Sequence, residues 1–391
     1  MTAFNHQIAG NRIALLRNGA EYFPQLRADI DAAQQSIYLE TYIFAADETG
    51  RMIADALRRA ATRGVKVHLV LDGYGSAELP QHWVDDLRAA GVGVQWFRRE
   101  ISPFTLRRNR HRRLRRMHRK MAVMDGEVAF VGGINIINDI PAYTDLTSPQ
   151  LDYAVRVQGK VASEIHATMR HLWGVLSWAN FRRRGNKMVW SDLVAKRHST
   201  TPEIMLVLRD NVRHRREIER TYLKAMAGAQ REIIIANAYF LPGRAFRRVL
   251  IQAAKRGVRV VLLLQGKVEY WIQHYATHAL YGRLLAAGIE IYEYQPSYLH
   301  AKVAVVDGQW ATVGSSNIDP YSLLLAREAN LVIQDAGFAG ELRASLETAI
   351  TKDAVRIGDE YGAPLNFFDR MISRFSYSFV RLLIGMSGYR K

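Results

Sequence analysis

The chain is written twice, and this duplication narrows the folds open to it more than any other property of the sequence. IYLETYIFAADETG, starting at Ile37, leads into LRRAATRGVKVHLVLDG, Leu57 to Gly73. The pattern returns as IIIANAYFLPG from Ile233, leading into LIQAAKRGVRVVLLLQG, Leu250 to Gly266. Each pass spells an apolar strand, an amphipathic helix closed by glycine (Gly64, Gly257) at its C-cap, and a strand dense in Val and Leu. Farther on, HRKMAVMDGEVAFVGGIN (His118 to Asn135) matches HAKVAVVDGQWATVGSSN (His300 to Asn317) without insertion. In between, each pass adds a helical stretch and a strand: Trp83 to Ala90 then Val92 to Phe97, and Ile272 to Ala287 then Ile289 to Tyr294.

Strands apolar on both faces, alternating with helices, predict the α/β class with sheets covered on each side. The expected architecture is two tandem α/β domains, each a mixed sheet flanked by helices, related by a pseudo-two-fold axis. The first spans 1–190 and the second 191–364, joined through FRRRGNKMVWSDLVAKRHSTTP near 182–202, where charge, Gly and Pro gather. A tail covers 365–391.

The paired blocks carry the chemistry. His118 and Lys120, like His300 and Lys302, stand two apart at the head of an apolar run, so on a strand both side chains point to one face. If the halves meet around the axis, two imidazoles and two ammoniums border one pocket. Such a set, with no metal ligands nearby, suits a phosphodiester. One neutral imidazole attacks phosphorus and the other, protonated, gives its proton to the departing alkoxide. The lysines and the amides of Asn135 and Asn317 would hold the non-bridging oxygens, and a bell-shaped pH profile is expected. The asparagines can equally be turn formers. Asp125 and Asp307, five residues past each lysine, fall at odd spacing from the histidine, and an Asp-Gly pair between two apolar runs is an ordinary hairpin device.

Composition narrows the partners. Among 391 residues, 54 Lys and Arg against 37 Asp and Glu leave a net charge of +17, which favours a polyanion: nucleic acid, an anionic membrane face or a phosphate-bearing substrate. The absence of cysteine excludes disulfides, thiolate metal sites, iron–sulfur clusters and cysteine nucleophiles. His274 and His278 have a zinc-compatible i, i+4 spacing, but Tyr275 stands where a metalloprotease has Glu and no third ligand is apparent, so no metal and no cofactor is expected.

H-x-K, four residues, Asp, six residues, then Gly-Ser/Gly-x-Asn, present twice, resembles the phospholipase D superfamily over nearly the whole chain. Within it, YLETYIF, VLDGYGS, RRMHRKMAVMDG, FVGGIN, IIIANAYFLPG and TVGSSNIDP are similar to the bacterial cardiolipin synthases of the B type. The resemblance implies phospholipase D-like domains and a catalytic set of His118, Lys120, Asp125, His300, Lys302 and Asp307. It implies an acid from a later strand steadying each histidine, for which Asp152 and Glu328 are placed. It implies phosphate contacts from the Gly-Ser/Gly-x-Asn segments, with Gly133 in the first copy where Ser315 stands in the second. The implied reaction moves a phosphatidyl group from one phosphatidylglycerol to another through a covalent phosphohistidine, giving cardiolipin and glycerol. By analogy His118 is the nucleophile and His300 the acid.

Residues 107–119 hold eight Arg and no acid. The run reads either as a solvated loop or as a collector of anionic headgroups through Arg112, Arg113, Arg115 and Arg116. In the tail, Phe368, Met371, Ile372, Phe375, Phe379, Leu382 and Leu383 form one helical stripe, the pattern of an interfacial helix or of one docked on the protein's own core. With no signal-peptide pattern at the start and no long uncharged apolar run, the expectation is a peripheral protein on the cytoplasmic face of the cell membrane. Phosphatidylglycerol and the membrane surface are the expected partners; no protein partner is implied. A phosphodiesterase or nuclease of the same superfamily, and a non-catalytic basic membrane binder, are the competing readings, and nucleic acid is disfavoured by the full-length resemblance.

Overall fold

A computed structural model describes residues 5–98, 116–140, 146, 148–183, 203–210, 214–268, 271–319, 322 and 326–358. The linker stretch 184–202, the tail 359–391 and Arg112, Arg113, Arg115, Phe368, Phe375 and Phe379 lie outside these residues.

In the first half the order is β1 (His6–Ile8), β2 (Asn11–Arg17), α1 (Asn18–Ala32), β3 (Ser36–Thr41), α2 (Glu48–Thr62), β4 (Lys66–Asp72), α3 (Gln81–Ala89), β5 (Gly93–Phe97), β6 (Met121–Met124), β7 (Val128–Gly132), β8 (Tyr153–Gln158) and α4 (Lys160–Arg183). The second half follows with β9 (Ile204–Arg209), α5 (Glu217–Gly228), β10 (Glu232–Asn237), α6 (Arg244–Lys255), β11 (Arg259–Gln265), α7 (Trp271–Leu285), β12 (Glu290–Tyr294), β13 (Lys302–Val306), β14 (Trp310–Gly314), β15 (Glu328–Gln334), α8 (Ala336–Asp353) and β16 (Ala354–Arg356).

Each half builds an eight-stranded sheet, ordered β1-β2-β8-β7-β6-β3-β4-β5 and β16-β12-β11-β10-β13-β14-β15-β9. Seven strands of one sheet map onto seven of the other. In both, three parallel strands joined through helices (β3-β4-β5, β10-β11-β12) continue into an antiparallel meander. The mixed sheet expected from the repeat is therefore present twice.

Local chemistry accounts for the element ends. Asp47 and Asp335 cap α2 and α8, each accepting a backbone N–H at 2.8 Å, from Gly50 and Phe338. Gly64 and Gly257 stop α2 and α6 with φ of 90° and 87°, a conformation that penalises any residue with a Cβ.

Side-chain alternation along the strands sets the layers. Met121 and Val123 of β6 and Val303 and Val305 of β13 face one shared core between the sheets, with α4 (Val161, Ile165, Met169) and α8 (Phe338, Leu342, Leu346) packed into it. Ala122 and Met124 face a second core under α1, α2 and α3, and Ala304 and Val306 a third under α5, α6 and α7. Each fully buried Val or Leu contributes roughly 1.5–3 kcal/mol. The shared core therefore fixes the two halves against each other, and the paired motifs sit at its rim.

Candidate active site

Two short backbone bridges carry the motifs from one half to the other. Met117 pairs with Arg327, and Leu151 with Leu299. The His118 N–H donates to the Arg327 carbonyl and the His300 N–H to the Leu151 carbonyl, both at 2.9 Å. Each carbonyl belongs to the residue just before an acid of the opposite half, so the bridge delivers that acid to the ring. Nδ1 of His118 lies 3.1 Å from the Glu328 carboxylate, and Nδ1 of His300 lies 2.6 Å from Asp152 Oδ2. The pairing is crossed: first-half histidine with second-half acid, and the reverse.

This crossing fixes proton placement. With a carboxylate accepting at Nδ1, the hydrogen resides there and the Nε2 lone pair is left for a ligand. Both acids are buried, Glu328 at 0% and Asp152 at 4% exposure, so their charges act through little solvent.

The lysines are buried as well, Lys120 at 2% and Lys302 at 0%. Lys120 Nζ donates to the His118 carbonyl at 2.8 Å, Lys302 Nζ donates to the His300 carbonyl, and Lys302 also lies 3.8 Å from Asp152. Burial, with Lys302 adding to it and Glu328 and Asp152 opposing, pushes the Lys120 pKa down to about 7. Burial followed by Lys302 pushes His300 down to about 4, with Asp152 opposing. His118 is lowered by burial too, partly offset by Glu328, with Lys120 and Lys302 adding to the fall. For Glu328, burial alone would raise the pKa, but His118, Lys120 and the Ser315 hydroxyl hold it below the usual carboxylate range. Each lysine thus acts on the histidine of the other half: the four groups share one electrostatic site.

The flanking segments divide into ligand-facing and supporting residues. Asn135 uses Oδ1 to accept the Ile43 N–H at 3.2 Å, which leaves its amide hydrogens to a ligand. It walls a narrow cleft together with Asn18, Ile134, Asp139 and Asp152 of the first half and His300 of the second. Asn317 is 3% exposed, and its Oδ1 has no hydrogen-bond partner.

Ser315 and Gly133 differ for a reason the sequence did not disclose. The Ser315 hydroxyl donates to Glu328 at 2.5 Å and accepts the Ala329 N–H at 3.0 Å, so it serves the acid instead of a phosphate. A Cβ on Gly133 would lie 2.3 Å from Asp152 Oδ1, so the shorter acid excludes a side chain there. These contacts correct the expectation that both residues hold substrate.

Asp125 and Asp307 also depart from the expected catalytic set. Both sit with the following glycine in the three-residue connection of a hairpin at positive φ (54° and 72°; 53° and 63°), five residues past the lysines. At ~3.3 Å per strand residue that places them about 16 Å from the lysine backbone. The Asp125 carboxylate accepts the N–H groups of Gln34, Gln35 and Ser36, all at 2.8 Å. Asp307 accepts those of Gln230, Arg231 and Glu232 at 2.9, 2.8 and 2.9 Å. Their lowered pKa values follow, since burial raises each but the backbone donors outweigh it. They clasp the hairpin to the turn before β3 or β10, which is the structural reading of the Asp-Gly pair.

Tyr42 and Asp72, not singled out from sequence, complete the site together with Arg116 of the arginine run. The Tyr42 ring lies 4.8 Å from the His118 ring and 5.2 Å from Lys120 Nζ. Asp72 accepts the Met117 N–H at 2.8 Å, fixing the approach to His118. Arg116 stacks 4.8 Å over Tyr74, and its carbonyl accepts the Arg327 N–H at 2.7 Å. No group of three or more potential metal ligands occurs among the described residues, and His274 and His278 line a cleft with Ala238 and Gln265.

Comparison with known proteins agrees with this arrangement. The family described as "Cardiolipin synthase, PLD-like domain" matches residues 26–173 and 222–350, one segment for each half. The chain belongs to this family. It is 39% identical to "Cardiolipin synthase B" of Escherichia coli (strain K12), over 97% of this chain and 90% of that protein. It is 29% identical to "Major cardiolipin synthase ClsA" of Bacillus subtilis (strain 168), over 86% of this chain and 69% of that one. The crystal structure of phosphatidylserine synthase from Haemophilus influenzae Rd KW20 superimposes with a TM-score of 0.68, covering 96% of this chain and 94% of that chain at 14% identity, a likeness of fold. Cardiolipin synthases of this family are phosphatidyltransferases of the phospholipase D superfamily, which accords with the duplicated site.

Proposed function

We propose that the chain transfers a phosphatidyl group between two phosphatidylglycerol molecules, forming cardiolipin and glycerol. The observation that carries the reading is the crossed pairing of His118 with Glu328 and His300 with Asp152 around two buried lysines. Such a site has two Nε2 atoms and a cationic cradle, as a phosphodiester monoanion requires.

His118 Nε2 attacks phosphorus, the P–O bond to the glycerol headgroup breaks, and the departing oxygen takes the proton from His300 Nε2. His118 becomes a phosphoimidazolium whose Nδ1–H donates to Glu328. In the second half-reaction His300 takes the proton from a hydroxyl of the incoming phosphatidylglycerol, whose oxygen attacks phosphorus as the P–N bond breaks. Both Nε2 roles are restored. The depressed histidine pKa values favour the neutral nucleophile, and the bound phosphate's negative charge supplies the field that lets His300 hold a proton. Lys120, Lys302, Asn135 and Asn317 would stabilise the non-bridging oxygens.

Among the described residues no helix is long and apolar enough to cross a membrane. The reading includes peripheral attachment at the cytoplasmic face, for which the support is the sequence pattern of the arginine run near His118 and of the amphipathic tail.

Purified protein mixed with phosphatidylglycerol vesicles should form cardiolipin and one glycerol for each cardiolipin, and should leave DNA intact. Cleaved DNA with unaltered lipid would overturn the proposal in favour of a nuclease.

A further inference from the structure

The pseudo-two-fold relation matches each residue near one histidine with a counterpart near the other. Glu40 faces Met121 where Ala236 faces Val303, and the bridges Phe44–Ile136 and Phe240–Ile318 keep the same phase. Tyr42 therefore corresponds to Ala238. Leu71 faces Thr41 as Leu264 faces Asn237, so Asp72 corresponds to Gln265 and Tyr74 to Lys267. The second match is functional at the backbone: Gln265 Oε1 accepts the Leu299 N–H at 2.6 Å, just as Asp72 accepts that of Met117.

The side chains then diverge. Beside His118 the Tyr42 ring fills the space against His118 and Lys120, and a buried carboxylate, Asp72, stands behind. On the other flank the small Ala238, whose N–H donates to the Ala301 carbonyl next to His300, opens onto a narrow cleft walled also by Gln265, Lys267, His274 and Thr277. A carboxylate has become a neutral amide, and a tyrosine a lysine. Behind this wall Glu293 is engaged by His278 Nε2 and by the Tyr281 hydroxyl, both at 2.9 Å. Among the described residues, the His300 flank thus carries a small side chain and a lysine where the His118 flank carries two tyrosine rings.

We propose that this cleft is the acceptor pocket, taking the glycerol phosphodiester headgroup of the second phosphatidylglycerol with its phosphate on Lys267 and with His274 and Thr277 as further donors. The proposal rests on the phosphatidyl-transfer reading above. The chemistry explains why a cation belongs on this side. The glycerol that leaves the donor is uncharged, and so is water, but the acceptor lipid brings a second phosphate.

The test measures two products from phosphatidylglycerol vesicles: cardiolipin, from attack by lipid, and phosphatidic acid, from attack by water. In Lys267→Ala the ratio of cardiolipin to phosphatidic acid should fall roughly tenfold or more, the usual worth of a charge-assisted contact. A higher surface density of phosphatidylglycerol should restore it. Ala238→Tyr, which copies the closed side, should shift the ratio the same way, and Lys267→Ala keeps the test open if tyrosine does not fit. Lys255→Ala, an exposed lysine on α6, should leave the ratio unchanged. An unaltered ratio in a folded Lys267→Ala protein, or an equal loss of both products, would overturn the proposal. A wild-type protein that makes no cardiolipin would instead sink the transfer reading, and this inference with it.

Discussion

Replacing Glu328 by Gln removes one negative charge from a site with no solvent to compensate for it. The carboxylate is 0% exposed, 3.1 Å from His118 Nδ1 and 2.5 Å from the Ser315 hydroxyl. When His118 becomes a phosphoimidazolium, a unit charge at that separation is worth about 5 kcal/mol at an effective dielectric constant near 20. The amide retains a weaker hydrogen bond, so the expected net loss is about 3–4 kcal/mol, or roughly 10²–10³ in kcat. Ser315→Ala, which removes one donor to the same acid, should cost about 1–2 kcal/mol. The assay is glycerol release in the first turnover, which isolates formation of the phosphoenzyme from transfer to the second lipid. Because Glu328 acts through His118, Glu328→Gln should add little to His118→Ala in a double-mutant cycle. Release in Glu328→Gln within threefold of wild type, with the fold intact, would refute the reasoning.

Other expectations follow from the same contacts. Asp125→Ala and Asp307→Ala should each lower stability by roughly 1–3 kcal/mol, since three backbone donors lose their acceptor, while folded protein keeps its kcat; thermal melts beside assays at low temperature separate the two effects. Lys120, pushed down to about 7, is largely neutral at pH 8 before a ligand binds. Between about 7 and its ordinary value the unfolded chain holds a proton that the folded chain lacks, so this group makes stability rise with pH across that window. Inorganic phosphate binding at pH 8 should take up a proton, seen by calorimetry in two buffers of different ionisation heat; zero uptake contradicts the assignment. Gly133→Ser, whose Cβ would meet Asp152 Oδ1 at 2.3 Å, should displace the acid from His300 and reduce activity at least tenfold, in contrast to the wild-type serine at position 315.

The duplication made the topology readable, because a strand–helix–strand unit repeated with the same spacing has few ways to pack. Phase along β6 and β13 made the His and Lys of each motif readable as a unit for the same reason. The crossed acids were not assignable to their histidines, since 210 residues separate His118 from Glu328 and 148 separate His300 from Asp152, and only the bridges at Arg327 and Leu151 decide the partner. The family resemblance placed Asp125 and Asp307 with the histidines, whereas strand length puts them at the far end of the hairpin; their odd spacing from the histidines was the available signal. The roles of Ser315 and Gly133 depend on whether the adjoining acid is Glu or Asp, a relation visible only once β14 and β15 are side by side. Tyr42 and Ala238 could have been compared in the aligned repeats, but nothing in the letters says that their side chains face the motif.

The central claim is that the two halves form one site, neither half being sufficient. The kcat for cardiolipin formation by His118→Ala and by His300→Ala, each purified alone, measures this directly. A shared site predicts that either substitution abolishes turnover, by at least about 10³. Two independent sites would leave each variant with near half of the wild-type rate, and that result would contradict the account.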